Sequence, residues 1–406
     1  MRPVILYFIY VAFPLISYAQ TADWRAMLIR SDGVVIPFEM QSEKKRTNTT
    51  WTVINGDERI ELENLHAAGD SLILEFPVYE SQFRLRVHDD VITGTWVKAG
   101  IESASLQMPI VMVKDMPRFS QAQQAKVKID GTWSAIFPFR DTTTVGYAGI
   151  FEQQDEKLTG TFLTPYGDYR FLRGQVSNDT LYLSGFNGVQ PTLFIAPVDP
   201  VNTITKGKFY YADNPVQEWT GLKQESVAVD YASSAGVVRE GAGTMNFRFR
   251  NTDSEWVALD ADRYKNKVII IQILGTWCPN CLDETAFLTE YYKLKPADVE
   301  IIGLAYEYST DWERSTRSLK KLEERYQVPY EILNTEVRVG DPQMTEKTLP
   351  GISRIGSFPT TIYLDKQHRV AYIETAFNGP ATGEHHEIYK REFIEKIELL
   401  RKKPGF

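Results

Sequence analysis

The stretch Val268-Ile269-Ile270-Ile271-Gln272-Ile273-Leu274-Gly275-Thr276-Trp277-Cys278-Pro279-Asn280-Cys281 decides how this chain is read. Residues 268–274 are apolar except for Gln272, as suits a strand covered on both faces. Gly275 ends the run, and a helical segment follows over about residues 278–295. Residues 299–305 repeat the buried-strand pattern. Residues 311–326 read as a helix with Trp312, Leu319, Leu322 and Tyr326 on one stripe and Asp311 placed to cap it. Residues 360–364 and 369–375 form an expected hairpin turning at Asp365-Lys366-Gln367, and Tyr389, Phe393, Ile397 and Leu400 line a last helix. The order β, α, β, α, β, β, α is that of an α/β unit.

Upstream the rhythm changes. Residues 227–244 are rich in Ala, Ser and Gly (Ala232-Ser233-Ser234-Ala235-Gly236, Gly241-Ala242-Gly243) and mark a linker. From Trp24 to about Lys223, short β-branched and aromatic runs alternate with turn dipeptides such as Asp32-Gly33, Asn55-Gly56, Asp130-Gly131 and Asn187-Gly188, which predicts a nearly all-β region. That region repeats. Trp24 with Ala26 recurs as Trp133 with Ala135, Gly56-Asp57-x-Arg59 as Gly167-Asp168-x-Arg170, and Asp70-Ser71-Leu72 as Asp179-Thr180-Leu181, at offsets of 109, 111 and 109. Ile92-Thr93 and Ile204-Thr205 open matching strands. Each copy is expected to supply about four to six antiparallel strands. Two copies packed as a sandwich or a closed barrel would bury the exposed face and retire the edges. A barrel has room for a small ligand; a packed interior that only docks the next domain is the plainer expectation, since no charged or His cluster converges here. His66 and His88 read as isolated surface or core residues.

Residues 1–19 have the layout of an export signal: Arg2, an apolar run from Val4 to Ile16, then Ser17-Tyr18-Ala19 before Gln20. The run is broken by Pro14 and is too short for about 30 Å of hydrocarbon. The expected organisation is a signal peptide (1–19), a duplicated all-β domain (20–226), a linker (227–244) and an α/β domain (245–406), in the periplasm or outside the cell. The chain's 406 residues carry 45 Lys and Arg against 53 Asp and Glu, a net charge of −8, which argues against general attraction to nucleic acid or anionic membrane.

Only two cysteines are present, and both lie in Cys278-Pro279-Asn280-Cys281. A thiol at a helix N-terminus faces unpaired backbone N–H groups and the positive end of the helix dipole, which favour thiolate. Cys278 is the expected attacking sulfur, and Cys281, one turn further in, the resolving one. A zinc site needs two more ligands; the nearest pair, His385-His386, is adjacent in sequence and far downstream, so no metal is expected. A structural disulfide would close too small a loop to constrain the unfolded chain. A redox-active dithiol remains, with no cofactor beyond it.

The run Lys265 to Cys281, followed by Ser357-Phe358-Pro359-Thr360-Thr361, resembles the TlpA/ResA-like thioredoxin family of exported thiol-disulfide oxidoreductases over roughly residues 245–406. The resemblance implies a thioredoxin fold in which Pro359 is cis and lies against the dithiol, with Trp277, Pro279, Phe358 and Pro359 contacting substrate. It also implies that Glu284, three after Cys281, assists proton transfer; as a carboxylate one turn along the helix it would take the proton of Cys281 or raise both thiol pKa values. The other reading of Glu284 is a surface group in a first helical turn. Thr285-Ala286 stands where the family often has Pro, and Gln272 where thioredoxin has a buried Asp.

The function expected is reduction of disulfides in exported proteins, cytochrome c maturation among the possibilities, with a membrane-embedded electron donor restoring the dithiol. Direction is implied by the resemblance alone, since dithiol potentials run from about −270 to about −120 mV. Two other classes stay open: a ligand- or partner-binding β-domain protein with a redox-sensing dithiol, and a thiol peroxidase, although Gly275-Thr276-Trp277-Cys278 lacks the peroxidase Thr-x-x-Cys spacing.

Overall fold

The computed structural model describes residues 20–45, 48–120, 122–138 and 144–403. The signal-like segment 1–19 and the side chain of His66 lie outside the described residues. The chain folds as an N-terminal all-β region of closed sheets followed by a thioredoxin-like α/β unit.

Eight antiparallel strands between Gln20 and Lys114 pair in sequence order, and the first, Gln20–Ile29, closes the ring on the last, Ser105–Lys114, with Leu28 opposite Ile110. Alternation sets the faces: Trp24, Ala26 and Leu28 point inward on the first strand, as do Phe83 and Leu85 on Ser81–His88. The interior is filled by Phe38, Phe83, Trp96 and Met112, all fully buried, so this barrel is a packed core.

The second copy closes as well. Thr144–Gln154 pairs with both Gly131–Pro138 and Lys157–Thr164, while Gln217–Gln224 returns to Gly131–Pro138. Its core is aromatic: Phe137 stacks on Trp219 at 5.5 Å, and Phe194 on Phe209 at 4.4 Å. The structure corrects the sequence reading in two respects. Each copy supplies eight ring strands instead of four to six, and each closes on itself instead of sharing a sandwich or barrel with the other. The undercount has a physical reason: links such as Phe76–Glu80 carry no Gly or Asn to announce them. The repeat register holds, since Trp24 and Trp133 sit on the first strand of each ring and Ile92 and Ile204 near the start of each seventh. The rings lock through Phe186, which leaves the second and packs among Phe38, Phe76 and Trp96 of the first. Gly188 is required there, because a Cβ would stand 2.4 Å from the Phe76 ring.

The α/β unit is a seven-stranded sheet in the order Trp256–Ala258, Arg248–Asn251, Glu331–Asn334, Val299–Ala305, Val268–Leu274, Thr360–Leu364, Val370–Thr375. All seven residues of Val268–Leu274 are buried; the strand runs parallel to Val299–Ala305 and antiparallel to Thr360–Leu364. The helices are α1 (Pro279–Leu294), α2 (Trp312–Tyr326), α3 (Met344–Thr348) and α4 (Glu384–Lys402). Asp311 caps α2, its carboxylate accepting from Arg314 N at 2.7 Å. The predicted order lacked Glu331–Asn334, the pair Arg248–Asn251 and Trp256–Ala258, and α3, all too short for a period to register. The segment 227–244 is a pinned strap: Ser234 is buried, its hydroxyl donates to Pro165 O and meets Thr375 Oγ1, and Val238 bridges to Ile352. On the other side, α2 is tied to the first barrel by Arg314–Glu80 and Lys321–Glu75 ion pairs. No described helix is long and apolar enough to cross a membrane.

Candidate active site

Cys278 is the N-cap of α1, in extended backbone (φ −103°, ψ 109°), and its sulfur accepts from the Cys281 N–H at 3.2 Å. Pro279 opens the helix, where its fixed φ suits the first turn and its missing N–H leaves nothing unsatisfied. The two cysteines are joined in a disulfide with Cα atoms 5.3 Å apart. Cys278 is 5% exposed and Cys281 fully buried, so only the first can be reached by another sulfur.

Of the residues expected around the dithiol, Trp277, Pro279 and Phe358 line one cleft with Cys278. Trp277 stacks on Tyr308 and meets Phe358 edge-on at 5.0 Å, its indole N–H donating to Tyr306 O. The Phe358-Pro359 peptide is cis, and Pro359 is buried just ahead of the strand Thr360–Leu364. Gln272 does structural work: its amide donates to Cys281 O at 3.3 Å and to Thr285 Oγ1, and its oxygen accepts from the Tyr330 hydroxyl.

Glu284 is a buried residue, not the surface one that its helical position equally allowed. One carboxylate oxygen accepts from Thr361 at 2.5 Å and from Tyr389 at 3.3 Å, while the other has no hydrogen-bond partner among the described residues. Burial pushes this carboxyl up to about 7 against the hydrogen bonds that favour its charge. No hydrogen bond joins it to either sulfur among the described residues. A second buried carboxylate, Glu307, went unnoticed in the sequence. It accepts from Thr276 N at 2.9 Å and Thr276 Oγ1 at 2.6 Å, fixing the loop before Cys278, and burial pushes it up to about 7.

The β region takes part as well. Arg170, buried in the second barrel, donates to the carbonyl of Pro279 at 2.7 Å and pairs with Asp283 on α1 at 2.7 Å and with Glu58 of the first barrel. Asp168 accepts from Gly379 N at 2.8 Å. Gly167 lies flat on Asn280, where a Cβ would meet the side-chain nitrogen at 2.5 Å, and its φ of +132° suits glycine. Burial raises the Asp283 carboxyl to about 7, against the pull of Arg170 and with the push of Asp168 and Glu58. The Arg170 guanidinium pairs with Asp283 and Glu58, while Asp168 accepts from the Arg170 and Gly379 backbone N–H groups. The sequence offered one signal for this cluster, the repeated Gly-Asp-x-Arg, which by itself marks only the duplication. Arg59, the counterpart of Arg170, is exposed, and its side chain makes one long contact, with Gln41, among the described residues.

Between the barrels and the dithiol lies a cleft of about 470 Å³, walled by Tyr147, Tyr166 and Tyr211 on one side and Trp277, Tyr308 and Phe358 on the other, with Cys278 at its floor. Among the described residues no group of three or more His, Cys, Asp or Glu side chains is placed to hold a metal ion.

Residues 240–390 match the sequence model of the Redoxin family, so the α/β unit carries a Redoxin domain. Solved structures also align with part of the chain. A thiol-disulfide oxidoreductase from Bacteroides fragilis NCTC 9343 is 18% identical over 36% of this chain and 98% of its own, with a TM-score of 0.27. A thiol-disulfide isomerase from Corynebacterium glutamicum is 13% identical over 41% of this chain and 100% of its own, TM-score 0.33. A secreted Mycobacterium tuberculosis disulfide oxidoreductase is 14% identical over 36% and 95%, TM-score 0.27. No curated protein sequence matches the chain.

The buried carboxyls set a pH dependence of stability. Glu284 and Glu307 titrate near 7 when folded against an ordinary value of 4.5. The folded chain therefore holds more protons than the unfolded one between those limits, and stability present below pH 4.5 is lost as pH rises through 7. The slope is at most about 1.4 kcal/mol per pH unit per group. Urea midpoints should fall from pH 5 to pH 8, and Glu307→Gln should flatten the fall; an unchanged profile in that variant would show that Glu307 does not titrate in this range.

Proposed function

We propose that this protein is a thiol-disulfide oxidoreductase in which Cys278 attacks a substrate disulfide and Cys281 resolves the mixed disulfide. The observation that carries this reading is the disposition of the pair: one sulfur at the cap of α1 on the floor of a cleft, the other buried one turn behind it. Cis Pro359 and the edge-on contact of Trp277 with the preceding Phe358 agree with the Redoxin match. Working in the reducing direction, outside the cytoplasm, with a membrane-embedded donor and the TlpA/ResA-like class are parts of the proposal supported by the motif and the signal-like residues 1–19. Cytochrome c maturation is one setting for it.

Glu284 is assigned the proton of Cys281. It sits one turn along α1, buried, with one oxygen unpartnered, and titrates near neutrality, so it can alternate between acid and base. The test is a stopped-flow reaction of the reduced chain with hydroxyethyl disulfide. Reduced protein should yield two equivalents of mercaptoethanol and the Cys278–Cys281 disulfide, and Glu284→Gln should slow the second, resolving phase by about tenfold or more at pH 7. An inert dithiol would overturn the function; an unchanged second phase would overturn the role of Glu284.

A further inference from the structure

The cleft above Cys278 is built by all three units of the chain. Its floor comes from the Redoxin domain. Its aromatic wall comes from the second barrel, whose turn at Gly167 lies on Asn280. Lys98, on the strand Val91–Ala99, reaches in from the first barrel. With the barrels in place, Cys278 keeps 5% of its surface, too little for a disulfide fixed on the face of a folded protein to approach in line. A volume of about 470 Å³ is in the usual range for small-molecule sites.

The polar lining indicates what else such a molecule carries. Asp168 has both oxygens engaged, by Arg170 N and Gly379 N. Lys98 makes one long bond, to Val189 O at 3.3 Å, and no carboxylate of the described residues lies within ion-pair reach of it. Burial lowers this amine to about 8, the behaviour of a cation without a counter-charge. The tyrosine and tryptophan faces supply apolar walls with hydroxyl rims.

We propose that the cleft binds a low-molecular-weight disulfide bearing a carboxylate, of the kind formed by an oxidised amino-acid or short-peptide thiol, with Lys98 pairing to that carboxylate. The inference rests on the exchange function proposed above. Reduced Cys278 attacks one sulfur of RS–SR: its S–S bond breaks, Cys278–S–SR forms, and RS⁻ leaves and takes a proton. Cys281 thiolate then displaces the second RS⁻, so the substrate gains two electrons and the chain ends with the Cys278–Cys281 disulfide. A dithiol reductant restores the pair.

The test uses the full chain with Cys281→Ser, reduced, and measures formation of the Cys278 adduct by mass spectrometry. Three probes share an ethylene linker from sulfur and differ in end group: dithiodipropionate (carboxylate), hydroxyethyl disulfide (neutral) and cystamine (ammonium); insulin is a folded-protein disulfide. Dithiodipropionate should react about tenfold or more faster than cystamine, one charge-assisted contact's worth, and faster than insulin. Lys98→Met should collapse that ratio toward one, and Lys98→Arg should restore it. Equal rates across the end groups, or insulin as the fastest substrate, would overturn the proposal. The end-group series on the Lys98-containing chain decides this even if Lys98→Met folds poorly. If no probe gives an adduct, the exchange function itself fails.

Discussion

Cys278→Ser is expected to abolish disulfide reduction, by about three orders of magnitude or more, while Cys281→Ser keeps the first attack and stalls at the mixed disulfide. The asymmetry follows from placement. Cys278 meets the N-terminal N–H groups of α1, and the Cys281 N–H points at its sulfur, so its thiolate is held where a helix N-terminus favours negative charge. Cys281 is fully buried beneath it and is confined to attacking the sulfur of Cys278. In the Cys281→Ser chain, adducts should accumulate on Cys278 and be released by dithiothreitol; in Cys278→Ser none should form. Equal trapping by both variants would mean that the attacking sulfur is misassigned, and trapping by neither would remove the catalytic role of the dithiol.

Much of the dithiol site was legible because its determinants are local. Seven consecutive residues make a strand covered on both faces, Pro279 starts a helix, and spacing along that helix separates the two sulfurs and places Glu284 behind them. What escaped is non-local. Arg170 lies 109 residues before Pro279, and Lys98, Tyr166 and Tyr211 reach the cleft only because two closed barrels dock on the Redoxin domain. Nothing in a run of sequence records that docking. Glu307 was hidden for a different reason: it follows an apolar strand like any first polar residue of a loop, and only the fold shows that it turns inward to Thr276. The strand count failed where turns were built from ordinary residues, while the repeat offset, which needs no turn chemistry, gave the right correspondence between the rings.

Arg170→Met is expected to cost about 3–5 kcal/mol of stability, the usual penalty for removing one partner of a buried ion pair. Glu58 and Asp283 would lose their cation and Pro279 O its donor, at an interface where these side chains keep only 8–13% of their surface. The loss should depend on pH with a definite sign. Asp283 titrates near 7 in the folded chain against an ordinary 3.8, and without Arg170 its folded value moves further up, since the guanidinium is what favours its charge. The deficit of the variant should therefore be smallest well below pH 7, where the folded Asp283 carboxyl holds its proton with or without Arg170, and grow as pH rises through 7. Arg170→Lys should recover little, because a single ammonium cannot reproduce the fork that meets Pro279 O, Asp283 and Glu58 at once. Stability alone would not show that Arg170 positions the dithiol. Glu58→Gln supplies the contrast, removing one partner of the cluster without touching the bond to Pro279. If Arg170 holds the Cys278-Pro279 turn, the Cys278 thiolate, followed by its ultraviolet absorbance, should titrate higher in Arg170→Met and unchanged in Glu58→Gln. A thiol pKa that moves in neither variant would leave Arg170 with the docking of the barrels only.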